Sequence, residues 1–176
     1  MILDRLFRRK PTDNAGLALY DACVTQARMP RLYELFAAPD TVEGRFELYT
    51  LHVVLLLDRL KRQGPRAANT AQVLFDTYLS ALDDALREMG VGDLSVGKKM
   101  RKLGEAFFGR VKNLEAAFGR LPATEDLENL LARTVYAGVE SPPVGALSNY
   151  VVTQRESLAM QDLDSLLAGQ VTWSAV

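Results

Sequence analysis

Apolar residues recur at three- and four-residue steps along most of this chain, the spacing of amphipathic helices packed against one another. Over residues 15–28 the stripe is Leu17, Tyr20, Val24 and Ala27. From 42 to about 63 it is Val42, Phe46, Tyr49, Val53, Leu56 and Leu60, widened by Leu48, Leu51, Leu55 and Leu57. A helix apolar on most sides belongs inside a bundle, so this one is predicted to be the long central helix. Two more stripes follow: Ala71, Leu74, Phe75, Tyr78, Leu82, Leu86 and Met89, then Val96, Met100, Leu103, Phe107, Leu114 and Phe118. Shorter helices are expected at 30–36, 124–136 and 144–160. The pattern predicts an all-α, single-domain bundle of about six to seven helices.

Breakers place the boundaries. Residues 11–14 read as a hinge, with Asp13 or Asn14 capping the first helix. Pro30 suits a first turn, where its missing N–H is not needed. Asp40 or Thr41 can cap the central helix, with Glu43 and Glu47 early in it, and Gly64-Pro65 ends it. Gly90 is the expected left-handed cap, and Ser95 is expected to cap the helix after it. Gly119 to Pro122 is a turn, Thr124 opens the next helix, and Ser141-Pro142-Pro143 breaks the chain again. Residues 1–14 thus form a basic amphipathic segment and hinge, 15–160 the helical domain, and 161–176 a weakly patterned tail.

Composition narrows the function. A chain of 176 residues fits one domain and can bury roughly 70% of its unfolded surface. With 48% hydrophobic and 24% charged residues, gross disorder is not expected. A net charge of −1 gives no global attraction to DNA. The lone Cys23 excludes an intramolecular disulfide and a Cys-rich zinc site, and suits a reducing compartment. The most apolar run, Leu48 to Leu57, is interrupted by Thr50 and His52 and is half the ~20 residues of a spanning helix. No apolar run of ~7–15 residues follows the basic N-terminus, so no secretory signal is read. Charge is patchy, however. Residues 97–112 carry Lys98, Lys99, Arg101, Lys102, Arg110 and Lys112 against Glu105, while 76–93 carry Asp76, Asp83, Asp84, Glu88 and Asp93 against Arg87.

No catalytic set presents itself. His52, the single histidine, lies in the apolar run and reads as a satisfied core residue; one histidine cannot supply a di-iron bundle site. Asp76 and Asp83 share a helix face with Asp84 nearby, which fits a solvated face better than a Mg²⁺ site. Gly90-x-Gly92 lacks the strand and the Lys-Ser or Lys-Thr of a nucleotide loop. No cofactor or metal is expected. A lipid or quinone-like ligand in the core, beside His52 or the Asp76 face, is the enzymatic alternative.

Three features are suited to binding. Ile2, Leu3, Leu6 and Phe7 with Arg5, Arg8, Arg9 and Lys10 would make a basic amphipathic helix for an anionic membrane, or a peripheral scaffold. Gly97, Arg101, Gly104 and Phe108 form a strip off the core stripe of their helix. It suits either an interface anchored by Phe108 and Arg101 or close helix packing over Gly104. Arg45 sits in a first turn, where the helix dipole disfavours a cation. It is expected to pair with Asp93 or Asp40, or to join Arg28 in contacting a partner.

Several of these segments also carry a family resemblance: Gln26-Ala27-Arg28-Met29-Pro30 with Tyr33; Pro39 to Glu47 with Leu51-His52; Leu74-Phe75-Asp76; Arg87 to Lys98; and Ala106-Phe107-Phe108-Gly109-Arg110. Together, over about residues 20–136, they resemble the ubiquinol–cytochrome c chaperones that assist assembly of the cytochrome bc1 complex. Phe108 stands where many members are expected to have Tyr. The resemblance implies a helical assembly factor rather than an enzyme, acting on newly made cytochrome b or an assembly intermediate, with a small helical partner and near the ribosome exit. The chain looks like the shorter bacterial form, which implies the bacterial cytoplasm and contact with the inner membrane. Asp93, Lys98, Arg101, Gly104, Phe108, Arg110, Arg28 and Arg45 are the candidate partner-binding residues; Leu3, Leu6, Phe7, Arg8 and Arg9 are the candidate membrane contacts.

Overall fold

A computed structural model describes residues 11–176, and the candidate membrane contacts Leu3, Leu6, Phe7, Arg8 and Arg9 lie outside the described residues. Those described form eight helices and no strand: α1 (Pro11–Ala27), α2 (Pro30–Leu35), α3 (Val42–Leu60), α4 (Pro65–Glu88), α5 (Asp93–Phe118), α6 (Glu125–Arg133), α7 (Val144–Met160) and α8 (Leu163–Leu167). None of these helices is long and apolar enough to cross a membrane.

The central helix is α3, as its wide stripe predicts. Leu48, Val53, Val54, Leu55, Leu56 and Leu60 are almost wholly enclosed, with α1, α4, α5 and α7 packed around it. Thr41 caps it, its Oγ1 accepting from Gly44 N–H at 3.1 Å. A Cβ at Gly44 would stand 2.1 Å from the Pro39 carbonyl oxygen, so the tight entry to α3 requires glycine there. Helix α1 crosses α4 in similar close contact, over Gly16, where a Cβ would meet Val73 at 2.6 Å. Gly90 closes α4 at φ 82°, with Val91 N–H returning to Leu86 C=O at 3.0 Å.

Four expectations need correction. Residues 11–14 are not a hinge: α1 begins at Pro11, so Asp13 and Asn14 are inside the helix. The buried face of α1 is Ala15, Leu19, Cys23, Gln26 and Ala27, one position round from the expected stripe, because Leu17, Tyr20 and Val24 are only half-covered. Helix α5 starts at Asp93 behind Gly92, not behind Ser95. Finally, residues 161–176 contain α8 and a docked strap. Gln161 bonds Thr172 through both backbone groups (2.7 and 2.9 Å), and Gln154 does the same for Ser174 (3.0 and 2.8 Å). Trp173 Nε1 donates to Ala22 C=O at 3.2 Å. Distant glutamine side chains hold this strap, which explains its weak local pattern.

His52 lies beneath the strap, fully buried. Its Nδ1 is 2.7 Å from the Leu48 carbonyl, which can only accept, so Nδ1 carries the proton. Nε2 therefore accepts from the Tyr150 hydroxyl at 2.7 Å, and that hydroxyl accepts from Gln26 Nε2 at 2.9 Å. Trp173 meets the imidazole edge-on at 5.1 Å. Burial pushes the His52 pKa down to about 4, so the ring is neutral at pH 7. Both ring nitrogens are thus engaged within the fold. Cys23 is likewise buried, and desolvation drives its thiol pKa far upward.

Candidate functional site

One face of α4 is exposed to clefts at both ends. Ala68, Ala71, Phe75, Leu82, Leu86 and Met89 follow one another along it at helical spacing, with buried Tyr78 between the two halves. At its C-terminal half the face lines an open apolar cleft of about 550 Å³. Helix α1 contributes Tyr20 and Val24, α3 contributes Val42, Phe46 and Tyr49, and α5 contributes Leu103. Val42 and Met89 stand 66% and 60% exposed at this cleft, although both were expected in core stripes. The half-covered residues of α1 are thus explained: Tyr20 and Val24 are cleft wall. The enclosed Tyr49 hydroxyl, beside Tyr20, makes no completed hydrogen bond.

Arg28 and Arg45 line the same cleft. Arg45 is paired with Asp40 at 2.5 Å, one of the two partners expected for it. The hydrogen bond from Arg45 lowers the Asp40 pKa below the ordinary carboxylate value. This pair is exposed, so it orients the guanidinium at little gain in stability. Tyr33, also in the wall, donates to Ala27 C=O at 2.7 Å and so fixes the α1–α2 corner beside Arg28.

A second cleft of about 310 Å³ opens over the N-terminal half of the α4 face. Phe75, Phe107, Phe108, Val111 and Leu57 line it. Phe108 is 62% exposed and packs 5.9 Å from Phe75, ring centre to ring centre. An aromatic half in solvent and half on other aromatics is poised to be covered.

The remaining candidates are scattered. Arg110 is engaged within the fold. It forms a two-point ion pair with Glu47, Nε to Oε2 at 2.6 Å, and both side chains are largely buried. Its charge is therefore used to tie α5 to α3. Asp93 pairs with Arg87, which also holds Asp83 at 2.6 Å. Lys98 and Arg101 are exposed on the outer face of α5 and form no ion pair among the described residues. Gly97 and Gly104 face open space, with nothing within 4 Å of a Cβ built on either, so close helix packing over Gly104 is not what the fold does. Among the described residues no group of three or more His, Cys, Asp and Glu side chains is placed to hold a metal.

The sequence singled out Arg28, Arg45 and Phe108 but not the clefts that connect them to their neighbours. A cleft is defined by what is missing above it, and a stripe residue such as Met89 looks identical whether covered or not. Three of the five segments that carry the family resemblance nonetheless line the larger cleft, through Ala27, Arg28 and Tyr33, then Val42, Glu43, Arg45 and Phe46, then Met89; the other two line the second cleft, through Phe75, Phe107 and Phe108.

Comparisons with known proteins agree with that resemblance. The "Ubiquinol-cytochrome-c reductase complex assembly factor 1" of Xenopus laevis is 25% identical, over 90% of this chain and 80% of its own length. The protein of that name from Mus musculus is 26% identical over 90% of this chain, which spans about half (54%) of the mouse protein. The crystal structure of the Cbp3 homolog from Brucella abortus superposes with a TM-score of 0.86 at 36% identity, covering 99% of this chain and 97% of that one. With the family described as "Ubiquinol-cytochrome C chaperone" matching residues 34–173, this chain belongs to the ubiquinol–cytochrome c chaperone family.

Proposed function

We propose that the protein is an assembly factor of the cytochrome bc1 complex that shelters apolar side chains of newly made cytochrome b, or of an early assembly intermediate, in the cleft rimmed by Arg28 and Arg45. The observation that carries this reading is that residues of three family-bearing segments line one open apolar cleft. Relatives named as assembly factors of the ubiquinol–cytochrome c reductase complex support it. The work is binding, and no bond is broken. Val42, Phe46, Met89 and Leu103 would take the client's apolar side chains, while Arg28 would meet an acidic residue or a carbonyl beside them. Phe108 and the second cleft would extend the contact along α4. The setting we propose is the cytoplasmic side of a bacterial inner membrane, with a small helical partner and the ribosome as further contacts.

The test is recovery of client from native membranes. Wild type should retain cytochrome b or a bc1 intermediate. Val42→Asp/Met89→Asp, which places two charges in the larger cleft, should lose most of it, and Phe108→Ala should lose less. Equal recovery by wild type and the double aspartate variant would move the client elsewhere. Failure of wild type, with a lipid-like molecule found in native mass spectra, would replace the client by a small apolar ligand of the same cleft.

A further inference from the structure

The outer face of α5 is chemically unlike either cleft. Elsewhere in the described chain, ion pairs join Arg45 with Asp40, Lys61 with Glu115, Arg66 with Asp164, Arg87 with Asp83 and Asp93, Arg110 with Glu47, Arg120 with Asp126 and Arg155 with Asp58, while Arg28, Arg31 and Arg62 stand singly without one. Arg59 and Arg133 donate to backbone carbonyls. Lys98, Lys99, Arg101, Lys102 and Lys112 make neither kind of contact among the described residues, and all five are exposed on one helix. Asp93, at the start of α5, is itself held by Arg87, as is Asp83. Glu105 is the acid on this face of α5.

The face also carries apolar groups. Leu94, Lys98, Arg101, Glu105, Phe108 and Lys112 follow at alternating four- and three-residue steps, about 27 Å of helix at 1.5 Å per residue. Leu94 at its start is fully exposed. Nothing stands within 4 Å of a Cβ built on Gly97 or Gly104, so no other described helix packs on this face there.

We propose that this face of α5 docks the protein on an anionic lipid surface. The basic side chains would lie among lipid phosphates, their stems along the acyl boundary, and Leu94 would enter it. A protein partner is less well matched, because lysine is depleted from protein interfaces. Nucleic acid would match the cations but leave Leu94 without a role. The face meets the second cleft at Phe108, but Leu94 and the five cations line neither cleft, so the proposal stands apart from the identity of the client.

The experiment is co-sedimentation of the full chain with phosphatidylcholine vesicles, with and without phosphatidylglycerol. Binding is expected to the anionic vesicles alone and to weaken as salt rises. Lys98→Gln/Lys99→Gln/Arg101→Gln/Lys102→Gln should bind at least about tenfold more weakly, with an unchanged melting temperature. Leu94→Gln should bind several-fold more weakly with its salt dependence intact. The proposal is overturned if wild type ignores anionic vesicles, or if the quadruple variant binds them as well as wild type, which would assign binding to Arg5, Arg8, Arg9 and Lys10. It is also overturned if the four cations retain the protein on RNA but not on vesicles.

Discussion

The two sides of α3 have been finished differently. Toward α7 and the C-terminal strap, both His52 ring nitrogens, the Tyr150 hydroxyl and Gln26 Nε2 have partners, and Trp173 covers the imidazole. Toward α4 and α5, aromatic and aliphatic side chains line two clefts, and Val42, Met89 and Phe108 stand more than half exposed. Both sides draw on the same helix and similar residue types, so hydrophobicity alone does not separate them. What separates them is closure: the first side is sealed by segments far away in sequence, whereas the second is left for something else to seal. Stability should therefore depend on the first and binding on the second.

Substitutions can break this contrast. The largest loss is expected for Glu47→Ala, which leaves the largely buried Arg110 without its carboxylate. About 3 kcal/mol should be lost in urea unfolding, at the lower end for a broken buried pair. Arg110→Met, which removes the charge that needs pairing, should cost less if Glu47 can reach solvent.

Acid should attack the sealed side by a comparable amount. The His52 pKa falls from 6.5 to about 4 on folding, so the native state favours the neutral ring. Its contribution is complete above pH 6.5 and declines as pH falls toward 4, because the unfolded chain takes up the proton first. At 1.36 kcal/mol per pH unit the loss approaches about 3 kcal/mol. His52→Leu should flatten that part of the stability profile between pH 7 and 4, whatever its effect at neutral pH.

Trp173→Ala should cost about 2 kcal/mol, less than a fully buried tryptophan, because the ring is partly exposed. It should also speed hydrogen exchange of the 169–176 backbone. Smallest of all, Val42→Asp/Met89→Asp should change unfolding free energy by within about 0.5 kcal/mol. A large loss there would mean the open side is structural after all, and the contrast would fail.

Local signals made much of the fold legible. The wide apolar stripe located α3, the Asp40-Thr41 pair its capping position, and Gly90 the end of α4, because each depends on neighbours within a turn or two. The failures share a different cause. Glu47 and Arg110 are 63 residues apart, and nothing near either one announces the pair. The strap depends on Gln154 and Gln161, whose amides copy a backbone partner from another element. The α1 stripe was placed one position off because Tyr20 and Val24 are apolar yet line a cleft. Arg28, Arg45 and Phe108 could be singled out by residue type, but only the folded chain shows which share a surface.

Cys23 has a practical corollary. A thiol with no exposed surface, whose ionisation is strongly opposed by burial, is nearly inert to maleimide chemistry while the protein is folded. The natural sequence is thus already a silent background for site-specific labelling. A cysteine placed at Val42, Met89 or Leu94 can carry a fluorophore or photo-crosslinker without first removing the native one, and each position reports on a different surface.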